Sequence, residues 1–242
     1  MSIVYGINPV LEALKAPGTR IERICVERGQ KNPRIQEIID LGRQKQVSLS
    51  FEEKAWLDRK SEGQRHQGVL CYLSEMETLS AEEILDQAAV PGLVLVLDGI
   101  EDPHNLGAIL RSAEVAAADG VFIPRRRSSG LTPAAVKASA GAAAHAKVAR
   151  VANIAQLLDT LKERGYWIAG LDEHAGRPVW EGDFTVPTAL VLGNEGSGLH
   201  RLVKEKCDFL VSIPARGKIH SYNVSVAAGI VLYEVLRQRS KK

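Results

Sequence analysis

Short apolar runs alternate with longer stretches of helical spacing along the last two thirds of the chain. The runs lie at residues 93–97, 121–123, 167–171, 189–192 and 209–213. Strands that are apolar on both faces are covered by helices on both sides, as in a mostly parallel sheet. The pattern therefore predicts an α/β domain over residues 91–242, with its ligand site at the carboxyl ends of the strands.

The first 75 residues predict a second, smaller α/β domain. Strand-like runs lie at residues 21–26, 47–49 and 68–73, and apolar residues at helical spacing follow Pro33. Proline is common at the first helical position, so a helix is predicted over residues 33–41. A domain of this size is near the lower limit for an unaided core.

An acidic segment over residues 76–90 separates the two predicted domains. It contains four acidic residues and no lysine or arginine: Glu77, Glu82, Glu83 and Asp86. Ser80 and Glu83 have the spacing of a capping box at the start of a helix. The segment is therefore predicted to be a linker that contains a short helix.

The final apolar stretch predicts a helix that begins near Asn223 and is apolar around most of its circumference. Such a helix is buried, either in the core or against another subunit. The basic tail beyond it, residues 237–242, is expected to be a frayed, solvated end.

Composition restricts the class of protein. The chain has 242 residues, of which 45% are hydrophobic and 25% are charged, which is typical of globular proteins and excludes disordered, collagenous and coiled-coil chains. No apolar run approaches the roughly 20 residues that a membrane span needs, and the N-terminus lacks the pattern of a signal peptide. We therefore expect a cytoplasmic protein that has no membrane span.

Cysteine and histidine patterns predict no metal site and no disulfide framework. Cys25, Cys71 and Cys207 are widely spaced, and the six histidines show no ligand spacing. The net charge of only +2 means that a polyanion would have to be bound by a local patch. The densest group of cations follows the run at 121–123 and consists of Arg125, Arg126 and Arg127, which could also form a solvated basic loop.

Three polar loops follow predicted strands in the second domain. The first, over residues 98–111, is rich in Asp, Gly and Pro and contains Asn105 and Arg111. Six helical residues are about 600° of rotation, so Arg111 is turned well away from Asn105. Both could serve a ligand; alternatively, Asn105 could cap the helix and Arg111 could form a surface ion pair.

The second loop, residues 193–199, has three glycines around Glu195. Glycines permit positive φ and close approach of the backbone to a ligand, but the spacing is neither Gly-x-Gly-x-x-Gly nor a Walker loop. Glu195 disfavours bound phosphate and suits a ribose hydroxyl, a cation or an adjacent arginine. A tight turn with a solvated glutamate is the alternative.

The third loop, residues 213–225, connects the last predicted strand to the final helix. Two cations, Arg216 and Lys218, precede Ser221 and Asn223. Ser221 is suited to cap the helix, and Asn223 is suited to bond a substrate or the backbone. Each feature is ordinary alone, but the three loops together predict a functional site.

The three loops resemble the sequence motifs of the SpoU, or TrmH, family of RNA ribose 2′-O-methyltransferases. Their patterns are Asp-x-x-x-Asp-Pro-x-Asn-x-Gly-x-x-x-Arg, Leu-Gly-Asn-Glu-Gly-x-Gly and Ile-Pro-x-x-Gly-x-x-x-Ser-x-Asn-Val-Ser-x-Ala. The resemblance implies an α/β methyltransferase domain of the SPOUT class with a C-terminal trefoil knot. It also implies S-adenosylmethionine as cofactor and a homodimer whose final helix packs at the interface.

The N-terminal segment is similar to the substrate-binding domain of the branch that methylates a guanosine ribose in 23S ribosomal RNA. The matching stretches are residues 4–14 and 65–69. The resemblance implies a fold like that of the ribosomal protein L30e for residues 1–75. It also implies 23S ribosomal RNA as the partner.

The resemblance further implies roles for individual residues. Arg111 would activate the ribose hydroxyl, and the rest of the catalytic group would be Asn105, Glu195, Ser221 and Asn223. The cofactor would be bound, largely through backbone groups, by Gly193, Ile213 and Tyr222. The cations expected to contact RNA are Arg125, Arg126, Arg127, Arg216 and Lys218.

Two other functions are open on this basis. One is ribose methylation of transfer RNA or of another ribosomal site; the N-terminal domain favours the ribosomal branch. The other is an inactive methyltransferase scaffold that serves as an RNA-binding factor in ribosome assembly. The intact set of catalytic residues argues against the second.

Overall fold

The computed structural model of the chain describes residues 2–15, 21–73, 78–218 and 221–240. Two compact units are present: the first comprises Met1–Glu77 and Leu131–Lys137, and the second comprises Thr78–Gly130 and Ala138–Lys242. The segment 131–137 thus groups with the N-terminal unit although it lies far along the chain. The predicted domain bounds at residues 75 and 91 remain predictions, and residues 76 and 77 of the predicted linker lie outside the described residues.

The first unit contains a four-stranded mixed sheet in the order β1-β4-β2-β3. Its strands are β1 (Ser2–Tyr5), β2 (Ile21–Glu27), β3 (Ser48–Glu52) and β4 (Val69–Leu73). Its helices include α1 (Ile7–Lys15), α2 (Pro33–Gln44) and α3 (Lys54–Lys60). The three predicted strands and the predicted helix are confirmed. Helix α2 begins at Pro33 because the Asn32 side chain accepts a hydrogen bond of 2.9 Å from Arg34 N.

The second unit contains a parallel sheet of six strands in the order β10-β8-β9-β5-β6-β7. They are β5 (Leu93–Asp98), β6 (Gly120–Pro124), β7 (Val148–Val151), β8 (Trp167–Leu171), β9 (Thr188–Gly193) and β10 (Phe209–Val211). The α-helices of this unit are α4 (Ala81–Asp86), α5 (Pro103–Val115), α7 (Ile154–Glu163), α8 (Arg201–Lys206) and α9 (Val224–Arg239). All but the last residue of α6 (Pro133–Ala138) belongs to the segment that groups with the first unit. Every residue of β5 and β9 is buried. The predicted α/β architecture is confirmed, and the knot remains a prediction.

The short helix predicted in the acidic segment is α4. Ser80 N donates to Glu83 Oε2 at 2.7 Å, and Glu83 N donates to Ser80 Oγ at 3.2 Å, which is the predicted capping box. Ile84 and Leu85 of this helix are buried in the core of the second unit. The acidic segment therefore contributes apolar side chains to that core.

The order of the strands brings two of the polar loops together. Strand β5 pairs with β9 along its whole length, and the last pair in register is Asp98 with Gly193. The loops that follow these residues therefore start side by side at the carboxyl edge of the sheet, where parallel α/β sheets bind ligands. Strands β8 and β10 pair with each other beyond β9, so their carboxyl ends reach the same edge.

The C-terminal end of α9 is fixed to the sheet by one partly buried guanidinium. Arg239 Nε donates to Phe184 O at 3.0 Å, Nη1 donates to Pro91 O at 2.8 Å, and Nη2 donates to Gly92 O and Val186 O at 3.0 and 2.9 Å. Burial lowers the pKa of Arg239. The expectation of a frayed tail from residue 237 is therefore wrong as far as Arg239, and residues 241 and 242 lie outside the described residues. None of the described helices is long and apolar enough to cross a membrane.

Arg239→Ala should lower the free energy of unfolding by roughly 2–3 kcal/mol, because it leaves partly buried carbonyl groups without their charged donor. Urea unfolding followed by circular dichroism measures the change. The matched control is Arg201→Ala, which removes an exposed arginine that pairs with Glu205 on the same helix. Equal losses in the two variants would contradict a special role for Arg239.

Candidate active site

One carboxylate oxygen connects all three polar loops. Glu195 Oε1 accepts hydrogen bonds from Asn105 Nδ2 at 2.9 Å, from Asn223 Nδ2 at 2.5 Å and from Val224 N at 3.4 Å. Asn223 Nδ2 also donates to Asn105 Oδ1 at 3.0 Å, although 118 positions separate these two residues in the chain. The structure thus brings together three of the five predicted catalytic residues.

Asn105 reaches this cluster because it does not cap its own helix. Asp102 Oδ1 accepts a hydrogen bond of 2.9 Å from His104 N and caps α5, with Pro103 at the first helical position. Asn105 therefore falls within the first turn, where it is buried. The alternative in which Asn105 caps the helix is wrong.

The two ends of the Asn223 side-chain amide make different hydrogen bonds at the start of α9. Its Oδ1 accepts hydrogen bonds from Ser225 N at 2.9 Å and from Ser225 Oγ at 2.6 Å, while its Nδ2 serves Glu195. The same side chain therefore caps the helix and holds the carboxylate. The expectation that Ser221 caps this helix is wrong.

The second loop is a closed turn in which two of the three glycines are required by the backbone. Asn194 N donates to Gly198 O at 3.1 Å, and Gly198 N donates to Asn194 O at 2.8 Å. A Cβ on Gly193 would lie 2.3 Å from the carbonyl carbon of Gly198, and Gly198 has a φ of +66°. Close backbone packing thus accounts for Gly193, and a positive φ accounts for Gly198.

A cavity of about 290 Å³ opens beside the cluster. All three residues predicted to bind the cofactor, Gly193, Ile213 and Tyr222, line it, together with Glu195 and Ser221. Its apolar walls are formed by Leu171, Leu192, Leu199, Val211, Val224 and Ala227. Residues at the carboxyl ends of β8, β9 and β10 thus face one space.

Two polar features of this region were missed by the sequence reasoning. Asp172 and Lys204 form an ion pair in the wall of the cavity. Buried Asp98 accepts a hydrogen bond of 2.8 Å from His200 N through Oδ2, which also lies 3.0 Å from His200 Nδ1. The only signal in the sequence was the position of Asp98 and Asp172, each at the end of an apolar run.

Arg111 is the predicted catalytic residue that lies neither in the wall of this cavity nor in the cluster around Glu195. It is exposed on α5 and has no hydrogen bond or ion pair with any described residue. Its helix packs along α9. Arg111 shares an exposed face of α5 with Val115, one turn further along.

The predicted RNA-binding cations are all exposed at the carboxyl edge of the sheet. Arg125, Arg126 and Arg127 follow β6, and Arg216 and Lys218 follow β10. Arg125 Nε donates to Arg150 O at 3.4 Å, whereas Arg126 and Arg127 have no ion pair with the described residues. The triplet and the third loop thus leave several cations available for a polyanion.

Thiol and metal chemistry find no support in the described residues. Burial raises the pKa of the Cys71 and Cys207 thiols to about 12 and also raises that of Cys25, so none is a thiolate near neutral pH. Within the described ranges, no group of three or more His, Cys, Asp and Glu residues is placed to hold a metal ion.

Comparison with known proteins identifies relatives for the N-terminal and the C-terminal parts of the chain. Residues 92–233 match the SpoU rRNA Methylase family, and residues 3–79 match the family described as RNA 2′-O ribose methyltransferase substrate binding. The 23S rRNA (guanosine-2′-O-)-methyltransferase RlmB of Pseudomonas syringae is 40% identical over 99% of this chain and 96% of its own length. RlmB of Coxiella burnetii is 40% identical over 98% of this chain and 95% of its own length.

A solved structure of a SpoU methyltransferase is also similar to this chain. The SpoU methyltransferase AviRb from Streptomyces viridochromogenes, crystallised in complex with the cofactor AdoMet, aligns with a TM-score of 0.67 and 26% identity. The alignment covers 99% of this chain and 91% of AviRb. Both halves of the chain therefore have counterparts in one solved protein.

Gly193→Ala should destabilise the protein by roughly 1–3 kcal/mol, because its Cβ would collide with the backbone of the loop. Gly196→Ala is the matched control, since the nearest atom to its Cβ would be Asn194 Oδ1 at 3.7 Å. Urea unfolding of both variants tests the difference. A control as unstable as Gly193→Ala would show that any side chain in this loop is harmful.

Proposed function

The chain belongs to the SpoU rRNA methylase family and is an S-adenosylmethionine-dependent RNA methyltransferase, and we propose that its substrate is the ribose 2′-hydroxyl of a guanosine in 23S ribosomal RNA. The observation that supports use of the cofactor is the convergence of Gly193, Ile213 and Tyr222 on one cavity beside Glu195, and the choice of substrate rests on the relatives. Two relatives that span nearly the whole chain bear the name of this activity. A ribosomal RNA substrate places the enzyme in the cytoplasm.

The residues of the cavity fit the cofactor. Leu192, Leu199 and Val211 provide an apolar wall suited to a purine ring, and Gly193 and Ile213 line the same space. Carboxylate and hydroxyl groups in the same cavity suit a ribose and a charged amino acid. When bound, S-adenosylmethionine supplies an electrophilic methyl group.

The ribose hydroxyl is a poor nucleophile until its proton is lost or shared. An arginine keeps its proton in essentially all proteins, so Arg111 is not the base. Its guanidinium instead stabilises negative charge that develops on the 2′-oxygen and holds the neighbouring phosphate. The proton passes to that phosphate or to water.

Asn105 keeps one amide N–H for the ribose, whereas Asn223, whose amide groups are all engaged within the protein, positions Asn105 and Glu195. Glu195 Oε1 holds both amides, so neither rotates freely. Glu195 Oε2 accepts no hydrogen bond from the described residues and is available to a ribose hydroxyl. Ser221, at the rim of the cavity, is an additional hydroxyl donor for the RNA.

A homodimer explains the distance between Arg111 and its own cavity. The side chains of Val115 on α5 and of Val226 and Tyr233 on α9 are 76%, 50% and 68% exposed, which leaves apolar surface on two helices that pack together. A second copy of the chain covers this surface. Because Arg111 lies on the same face of α5 as Val115, it enters the cavity of the partner subunit.

Arg111→Ala should lower kcat by about a hundredfold or more, because one charged stabiliser of the transition state is lost. The affinity for S-adenosylmethionine should be nearly unchanged, since Arg111 acts on the ribose. Single-turnover kinetics and calorimetry measure the two quantities. A parallel loss of cofactor affinity would contradict the assigned role.

Mixing two inactive variants tests whether Arg111 acts on the partner's cavity. An equimolar, re-equilibrated mixture of Arg111→Ala and Glu195→Ala should recover about a quarter of the wild-type activity, because half of the dimers then carry one intact site. If Arg111 served its own cavity, every site in the mixed dimers would be defective. No recovery would therefore contradict the exchange.

Arg126→Ala combined with Arg127→Ala should make the salt dependence of RNA binding shallower, with a slope lower by roughly 1–2, because two phosphate contacts are lost. The control removes Lys147 and Arg164, two cations at the amino edge of the same sheet. Fluorescence anisotropy over a salt series measures the slopes. Equal slopes in both double variants would show that the arginine triplet does not contact the RNA.

A further inference from the structure

Asp172 occupies a position in the cavity that none of the three motifs covers. It directly follows β8, and its backbone N donates to Val211 O at 3.0 Å. The parallel register of β8 and β9 pairs Gly170 with Val191, which places Asp172 level with Gly193. Asp172 therefore stands at the same edge as the predicted cofactor residues, one strand away.

The carboxylate of Asp172 is held in place from two sides. Its Oδ1 accepts a hydrogen bond of 2.9 Å from His174 N, and its Oδ2 is paired with Lys204 Nζ. Burial opposes ionisation, but the Lys204 ammonium and the His174 N–H outweigh it and lower the pKa of Asp172. The side chain is only 11% exposed, and both partners of the ion pair line the cavity.

Resting on the proposed use of S-adenosylmethionine, we propose that Asp172 and Lys204 together recognise the 2′,3′-diol of the cofactor's ribose. A hydroxyl both donates and accepts hydrogen bonds. The Asp172 carboxylate is an acceptor only, and the Lys204 ammonium is a donor only, with two N–H groups left after its bond to Asp172. Two adjacent hydroxyls thus find one acceptor and one donor in a fixed arrangement.

The charge of the pair favours the diol over the cationic parts of the same cofactor. Lys204 neutralises Asp172, so the pair has no net charge and attracts a sulfonium or an ammonium group only weakly. A partly buried carboxylate without a lysine would favour a cation instead. Asp172 is therefore a specificity residue for the ribose, and Lys204 both positions Asp172 and donates to the diol.

The test uses calorimetry to measure the affinity of the 242-residue chain for three ligands, in the absence of RNA. The probes are S-adenosylmethionine, S-adenosylhomocysteine and the 2′,3′-dideoxy analogue of S-adenosylhomocysteine. Asp172→Asn should weaken both diol-containing ligands by roughly the same factor, 10- to 100-fold. The wild-type chain should bind the dideoxy analogue more weakly by a similar factor, and Asp172→Asn should add little to that loss.

Asp159→Asn is the matched control. Asp159 forms an ion pair with Lys206, which lies on the same helix as Lys204, and neither Asp159 nor Lys206 lines the cavity. The affinity of this variant for all three probes should equal that of the wild type. Lys204→Met provides a second variant, and it should also weaken the diol ligands more than the dideoxy analogue.

Three results would overturn the proposal. A larger loss for S-adenosylmethionine than for S-adenosylhomocysteine in Asp172→Asn would assign the carboxylate to the sulfonium. Equal losses for diol and dideoxy ligands would indicate general damage to the cavity. Equal affinities of the wild-type chain for S-adenosylhomocysteine and for its dideoxy analogue would exclude diol recognition. This result does not depend on whether the two variants fold. Failure of the wild type to bind S-adenosylhomocysteine would instead contradict the proposed function itself.

Discussion

A single oxygen atom, Glu195 Oε1, organises the site. It accepts N–H groups from Asn105, Asn223 and Val224, and these donors come from two loops that are remote in sequence from its own. A carboxylate with three donors is strongly held, because hydrogen bonds to a charged acceptor are stronger than neutral ones. The amides gain a fixed orientation, and the start of the final helix is fixed to the turn after β9. Without this contact, the ribose-binding side chains and the wall of the cavity would be independent of each other.

The sheet and the final helix make that contact possible. Pairing of Asp98 with Gly193 at the last position of β5 and β9 sets the first two loops side by side. Helix α9 is fixed at both ends: Asn223 caps its start, and Arg239 holds its end to carbonyl groups near the amino ends of β5 and β9. The helix therefore brings the third loop to the cavity as a rigid element. Its exposed apolar residues then remain for a second subunit.

Much of this arrangement is readable in the sequence, and the exceptions have physical reasons. Continuous apolar runs identify five of the six parallel strands, but Val148–Val151 is short and contains Arg150, so no run marks β7. The motifs locate the polar loops, yet whether Asp102 or Asn105 caps α5 depends on local geometry that both residue types permit. Asp172 belongs to no motif, and its partner Lys204 comes from a helix 32 positions away. The sequence could not reveal the role of Arg239, because its acceptors are backbone carbonyl groups, which every residue has. From its neighbours alone, Arg239 is one more cation of a basic tail.

Mapping of ribose 2′-O-methylation in ribosomal and transfer RNA, in cells with and without the intact chain, tests the assignment most directly. The account predicts that one guanosine of 23S ribosomal RNA loses its ribose methyl group when the chain is absent. The methyl group should return with the wild-type chain but not with a Glu195→Ala variant that is expressed equally well. An unchanged 23S ribosomal RNA, with the loss found in transfer RNA or nowhere, would contradict it.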